Sequence, residues 1–232
     1  MTTPRPPARA VVLPGTGSDA AFAEAAFGPG LRDRGVSVVA VEPDPRGIVA
    51  SYHAALDAAA ADGPIAVGGI SIGAAVALDW ARHNPARAAF VLAALPPWTG
   101  ASNGAPAAHS ARYTATSLRA DGLDAVIAAM RATSPQWLGD VLERSWRAQW
   151  PDLPTALEEA ATYVAPTAAE LATITAPVGI VAATDDAVHP LHVGWEWAAA
   201  LPHAGFGTTT LAAFGPAPRV LGTVALRALP RY

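Results

Sequence analysis

The 232-residue chain contains no cysteine and no lysine. Without cysteine there is no disulfide, no thiolate metal site and no cysteine nucleophile. Without lysine there is no Schiff-base amine and no lysine for a phosphate-binding loop; all fifteen basic residues are arginine. Charged residues make up 15% against 52% hydrophobic, and the net charge is -4. Charge that sparse suits a globular body with much buried surface rather than a disordered chain. No basic run points to nucleic acid or to an anionic membrane. The longest apolar run, Pro64 to Leu78, carries Ser71 and three glycines and falls short of the roughly twenty residues that span a bilayer. Met1 to Arg9 is proline-rich and polar, unlike the apolar core of a secretory leader. The expectation is a cytoplasmic protein with a small-molecule substrate, no nucleic-acid or membrane partner, and no metal or organic cofactor. Its length is ordinary for one domain, and its oligomeric state is not legible.

What the chain does contain is an alternation of apolar runs and helical stretches. Ala10 to Leu13 reads as a strand, followed by the small-residue loop Pro14-Gly15-Thr16-Gly17-Ser18. Ala20 to Leu31 reads as a helix closed by Gly35, and Val36 to Val41 as a second strand ended by Glu42-Pro43. Ile48 to Ala61 is helical, with Asp62-Gly63 as its stop. Pro64 to Val67 is a buried strand, Ile72 to Arg82 a helix, and Ala88 to Leu95 a strand stopped by Pro96-Pro97. Such alternation implies a parallel sheet with helices on both faces. It breaks at Trp98 and resumes at Pro177. Between them lie helices and loops only, over Ala111 to Ala132, from Ser134 to Gln149, Pro154 to Tyr163 and Pro166 to Ile174. Beyond Pro177, Val178 to Ala183 is a strand, Leu191 to Leu201 a helix, Thr208 to Phe214 a last strand and Arg219 to Leu229 a last helix.

Between the third strand and its helix stands Gly69-Ile70-Ser71-Ile72-Gly73. A G-x-S-x-G pattern in a strand–turn–helix setting marks a nucleophile elbow. The turn is so tight that the positions two before and two after the serine must be small. It lifts the Ser71 hydroxyl above the sheet edge, and the following helix aims its N-terminal amides and positive dipole end at the same spot. Four of the seven tryptophans, Trp98, Trp137, Trp146 and Trp150, fall in the helical segment. Tryptophans there either meet an apolar substrate, for which Trp98 and Trp137 are the candidates, or pack the segment onto the body.

Taken together, the strand order, the elbow and a late acidic loop resemble the α/β-hydrolase family over nearly the whole chain. The resemblance implies a mainly parallel sheet flanked by helices. It places a core in residues 1–98 and 177–232 and an inserted helical cap in 99–176. It makes Ser71 the nucleophile and the amides of Thr16 and Ile72 the oxyanion donors. It makes Asp186 the acid that orients the base, with the adjacent Asp185 as the alternative. One piece departs from the family pattern. The base there is a histidine just after the last strand, and here that place reads Phe214-Gly215-Pro216-Ala217-Pro218; no histidine follows His203. Without a base a serine hydroxyl stays protonated and is a poor nucleophile.

Two histidines are candidates for the missing base. His189 shares the acidic loop with Asp186, and His109 lies in the insertion, where it can hang over the site or contact substrate. His53 and His83 fall on helices away from that end, and His203 precedes the last strand. Two functions follow. The first is a serine hydrolase cleaving a small, apolar ester, lactone or thioester through an acyl-enzyme. The second is a non-hydrolytic protein that keeps the pocket for binding or as a biosynthetic template. A serine nucleophile argues against haloalkane or epoxide hydrolysis, which in this family starts from a carboxylate.

Overall fold

The strands β1 (Arg9–Leu13), β2 (Ser37–Ala40), β3 (Ile65–Ile70), β4 (Ala88–Ala94), β5 (Val178–Ala183) and β6 (Ala204–Thr209) form one sheet in the order β2-β1-β3-β4-β5-β6. Every pairing in it is parallel. The computed structural model describes residues 7–230; most of the proline-rich, polar stretch Met1 to Arg9 lies outside them. Parallel strands demand crossovers, and the chain supplies them as α1 (Ala20–Arg32), α2 (Ile48–Ala59), α3 (Ile72–His83) and α9 (Leu191–Ala200), with α11 (Arg219–Ala228) following the last strand. The strands are apolar on both sides. Val11, Leu13, Val67, Val91 and Ile180 feed one core layer, whereas Ala10, Val12, Ala66, Leu92 and Val181 feed the other. That two-sided burial is why the strands read as continuous apolar runs rather than as alternating patterns. Among the described residues no helix is long and apolar enough to cross a membrane.

One sequence expectation is corrected near the C-terminus. The last strand is Ala204–Thr209, not Thr208 to Phe214; Leu211–Phe214 is a short helix, α10. Thr210 caps it, its hydroxyl accepting from the Ala213 amide at 3.1 Å. The strand escaped notice because Gly205 and Gly207 interrupt its hydrophobic signature. Those glycines are required by packing: a Cβ on Gly205 would stand 1.8 Å from the Ala228 carbonyl oxygen, since α11 lies directly on the sheet.

Between β4 and β5 lie α4 (Pro106–Asp121), α5 (Leu123–Thr133), α6 (Gln136–Gln149), α7 (Leu153–Thr162) and α8 (Ala168–Leu171). This insertion is stitched to the body. Ala156, Ala160, Leu171 and Ile174 share the main core layer. Glu159 on α7 accepts the Ile48 amide at 2.7 Å and the Val49 amide at 3.3 Å. It thereby caps α2, whose own N-cap, Gly47, has no side chain to do so. α4 begins at Pro106, earlier than Ala111, with proline at a first-turn position that needs no donor. α8 covers only Ala168–Leu171 of the expected Pro166–Ile174 helix, opened by a Thr167–Glu170 capping box.

Candidate active site

The site is assembled where β1 and β3 lie side by side, with Leu13 opposite Gly69. The chain leaves β1 to one side and β3 to the other, which opens a crevice at their carboxyl ends. Ser71 follows β3 directly, at φ 53° and ψ −118°, a region costing a non-glycine residue about 1–3 kcal/mol. The surroundings hold it there. The Ser71 amide donates to the Ala94 carbonyl at 2.9 Å, and its own carbonyl accepts from Ala74 and Ala75 in the first turn of α3. The two motif glycines are sterically obligatory. A Cβ on Gly69 would stand 2.3 Å from the Gly73 carbonyl oxygen, and one on Gly73 would stand 2.7 Å from the carbonyl oxygens of Leu13 and Pro14.

The Ser71 hydroxyl is 2.9 Å from His189 Nε2, and His189 Nδ1 is 2.8 Å from Asp186 Oδ2. The structure therefore brings Ser71, Asp186 and His189 into one hydrogen-bonded line across 118 residues of sequence. The strands that carry Ser71 and Asp186 are not neighbours, because β4 stands between β3 and β5. The imidazole with its two hydrogen bonds and the side chains on either side span the two strand spacings, about 10 Å. Asp186 Oδ1 meanwhile accepts the amides of Val188 at 2.8 Å and His189 at 3.2 Å. One carboxylate oxygen shapes the loop while the other orients the ring. Burial raises the Asp186 pKa, but the hydrogen bond and charge of His189 and the two amides outweigh it and hold the group below the ordinary carboxylate range. Pro190 follows and biases His189 to extended backbone, so the ring leaves the loop just before α9.

The other sequence candidates fall elsewhere. Asp185 is exposed and accepts the Leu211 amide at 2.7 Å, anchoring the start of α10. It ties down the segment that follows the last strand. His109 is exposed on α4 and is not in the cavity wall, which corrects its place as base and as substrate contact; it lies on the outer side of the first turn, whereas Ser110 and Ala111 turn inward. His192 is exposed on α9. The His203 carbonyl accepts the Val178 amide at the opposite end of the sheet.

Above Ser71 lies a cavity of about 530 Å³. Thr16, Ile72, Trp98 and Trp137 all line it. Trp98 donates from its indole nitrogen to the Tyr163 carbonyl at 3.2 Å, and Trp137 stacks on Phe22 and meets Phe214 edge-on. Met130, Leu138, Leu142 and Leu211 complete an apolar wall, in which Asp185, Asp186 and His189 are the titratable groups. Several wall residues carry no sequence signal: Met130 and Leu211 look like any helix residue until the insertion folds over the sheet.

The loop after β1 is clamped from three sides. Tyr52, fully buried, donates from its hydroxyl to the Pro14 carbonyl at 3.1 Å. Burial pushes that phenol well above its ordinary pKa, helped by the charges of Glu42 and Glu159, so it stays a donor. From above, Arg144 Nε donates to Asp19 at 2.7 Å and the Gln149 amide donates to the Ser18 carbonyl at 3.0 Å. Trp146 seats its indole over Gly17, where a Cβ would meet Nε1 at 2.8 Å. Gly15 sits so close beneath the elbow that a Cβ there would stand 3.4 Å from that of Ser71. Thr16 and Ile72 line the same cavity as Ser71.

This is the α/β-hydrolase fold. Similar solved structures include a thermophilic esterase from Thermogutta terrifontis, at TM-score 0.71 and 16% identity over 96% of this chain and 89% of that one. Another is the enol-lactonase from Burkholderia xenovorans LB400, at TM-score 0.69 and 16% identity over 95% and 92%. A third is an α/β hydrolase enzyme from a Medee basin deep-sea metagenome library, at TM-score 0.68 and 13% identity over 94% and 88%. At such identities the likeness is one of fold. No family model matches the chain, and no curated protein matches it in sequence.

Proposed function

We propose that the protein is a serine hydrolase that cleaves a neutral, apolar carboxylic ester, lactone or thioester through an acyl-enzyme on Ser71. The observation that carries this reading is the Ser71–His189–Asp186 line, at 2.9 and 2.8 Å. His189 Nε2 takes the hydroxyl proton as Ser71 Oγ attacks the carbonyl carbon. The oxyanion that forms is held by the amides of Thr16 and Ile72 and by the positive end of α3. His189 then passes the proton to the leaving alcohol or thiol as its bond to the acyl carbon breaks. Water, deprotonated by the same ring, attacks the acyl-enzyme and releases the acid and free Ser71. Asp186 keeps the imidazole in the tautomer that accepts at Nε2 and stabilises the imidazolium. The 99–176 insertion acts as the cap that roofs the cavity, and its apolar wall favours substrates without charge.

Here the base comes from the acid's own loop rather than from the segment after the last strand. The template reading leaned on the absence of a histidine near Ser71, and the geometry of His189 removes that reason. The test is labelling with a fluorophosphonate probe beside hydrolysis of p-nitrophenyl butyrate. Wild-type protein is expected to label stoichiometrically and to turn over the ester, and Ser71→Ala to do neither. Undiminished turnover by Ser71→Ala, or no labelling of folded wild type, refutes the reading.

A further inference from the structure

The cavity above Ser71 does not end at the insertion. A second cavity of about 600 Å³ lies between α4, α5 and α6, and Thr114, Met130 and Trp146 line both. Thr114, Met130 and Trp146 thus stand between the reaction chamber and an outer groove that Ala125, Val126, Ala129 and Thr133 continue. Of the three, Trp146 is fixed, 5% exposed and seated over Gly17. Met130 is the pliable member, an unbranched thioether with three rotatable bonds. The helix that carries it is weakly anchored: only Val126 and Ile127 of α5 are buried, and the helix packs mainly on α4 and α6.

We propose that the substrate carries a long, unbranched alkyl arm, which passes Met130 and lies in the groove between α4 and α5 with its far end toward water. This rests on the acyl-enzyme reading and replaces a small substrate with an extended one. The inner stretch of the path is apolar, along Leu142, Leu157 and Met130. The outer wall mixes Val126 and Ala129 with Tyr113, Ser117 and Asp121, as suits the solvated end of a neutral chain and not a charged one. Each methylene taken from water into such a path multiplies kcat/KM by about fourfold at most.

The experiment compares two ester series on wild type, Ala129→Trp and Thr133→Trp. Both substitutions fill the outer groove from exposed positions on α5, and neither residue touches the reaction chamber. One series, p-nitrophenyl butyrate and decanoate, lengthens the acyl side; the other, butyl and decyl acetate, lengthens the alcohol side. Wild type is expected to prefer the long member of one series by at least about tenfold, and both variants to lose most of that preference. The series that responds identifies the side of the ester on which the arm lies. If wild type hydrolyses the short esters but shows no length preference, or if the variants keep it, the groove is not the arm's path and the inference falls alone. If folded wild type neither hydrolyses any ester nor takes the fluorophosphonate, the acyl-enzyme reading fails and carries the inference with it.

Discussion

Asp186→Asn separates orientation from folding. In the wild type Oδ1 accepts the Val188 and His189 amides, and Oδ2 accepts Nδ1–H of His189. Asparagine has one acceptor oxygen. The two amides claim it, so the side-chain NH₂ faces Nδ1 at about the same distance. A donor there forces the imidazole to carry its proton on Nε2, pointing at Ser71 Oγ, where it cannot accept one. The same exchange in Ser-His-Asp proteases lowers kcat about 10⁴-fold, equivalent to about 5.4 kcal/mol of transition-state stabilisation. Because the loop's own hydrogen bonds survive, the stability cost is that of one altered bond, about 1–1.5 kcal/mol, or a few degrees of Tm at this chain length. The carboxylate also sets a pH signature. Its folded pKa is depressed, so it favours folding above its unfolded value near pH 4, and that contribution is lost as the pH falls through the folded value. The stabilities of wild type and variant therefore converge on acidification below about pH 4. Initial rates on p-nitrophenyl butyrate at pH 7, beside thermal melts from pH 3 to 7, measure both. A rate within about tenfold of wild type in a folded variant, against the hundredfold or more expected of a general base, refutes the orientation of His189 by Asp186.

Asp185→Ala is expected to stay within about tenfold of wild-type rate while Asp186→Ala loses about 10³-fold or more; the reverse order in the same assay assigns the acid to Asp185. Tyr52→Phe removes one buried hydrogen bond to the Pro14 carbonyl, about 1 kcal/mol, and is expected to lower kcat severalfold with KM little changed, since the loop it steadies faces the transition state; unchanged kcat means the loop needs no such brace. Gly69→Ala puts a methyl within 2.3 Å of the Gly73 carbonyl oxygen and is expected to cost at least about 3 kcal/mol in urea denaturation, whereas loss of less than about 1 kcal/mol refutes the close packing of the elbow.

The elbow was legible from local pattern because its constraints are local: strand, strained serine and helix follow one another, and each glycine answers a backbone atom a few residues away or in the adjoining strand. The strand–helix alternation likewise exposed the parallel sheet through β5. What escaped were features set by packing at a distance. β6 hides its signal because α11 presses on it and demands Gly205 and Gly207. The sequence marks an inserted helical segment over 99–176 but not that Leu171, Ile174 and the Glu159 cap on α2 tie it into the body.

Sequence alone determined Ser71, the acidic loop and the layered architecture, because period and turn chemistry act over a few residues. It also showed no histidine in the segment after the last strand and left open whether any histidine approaches Ser71. Only the tertiary structure shows which one comes within hydrogen-bond reach, since that depends on how β4 separates β3 from β5 and on where the Asp186 loop turns. His189 lies three residues from Asp186 in the chain and 118 from Ser71, and it is the sheet, not the spacing, that brings its ring between them.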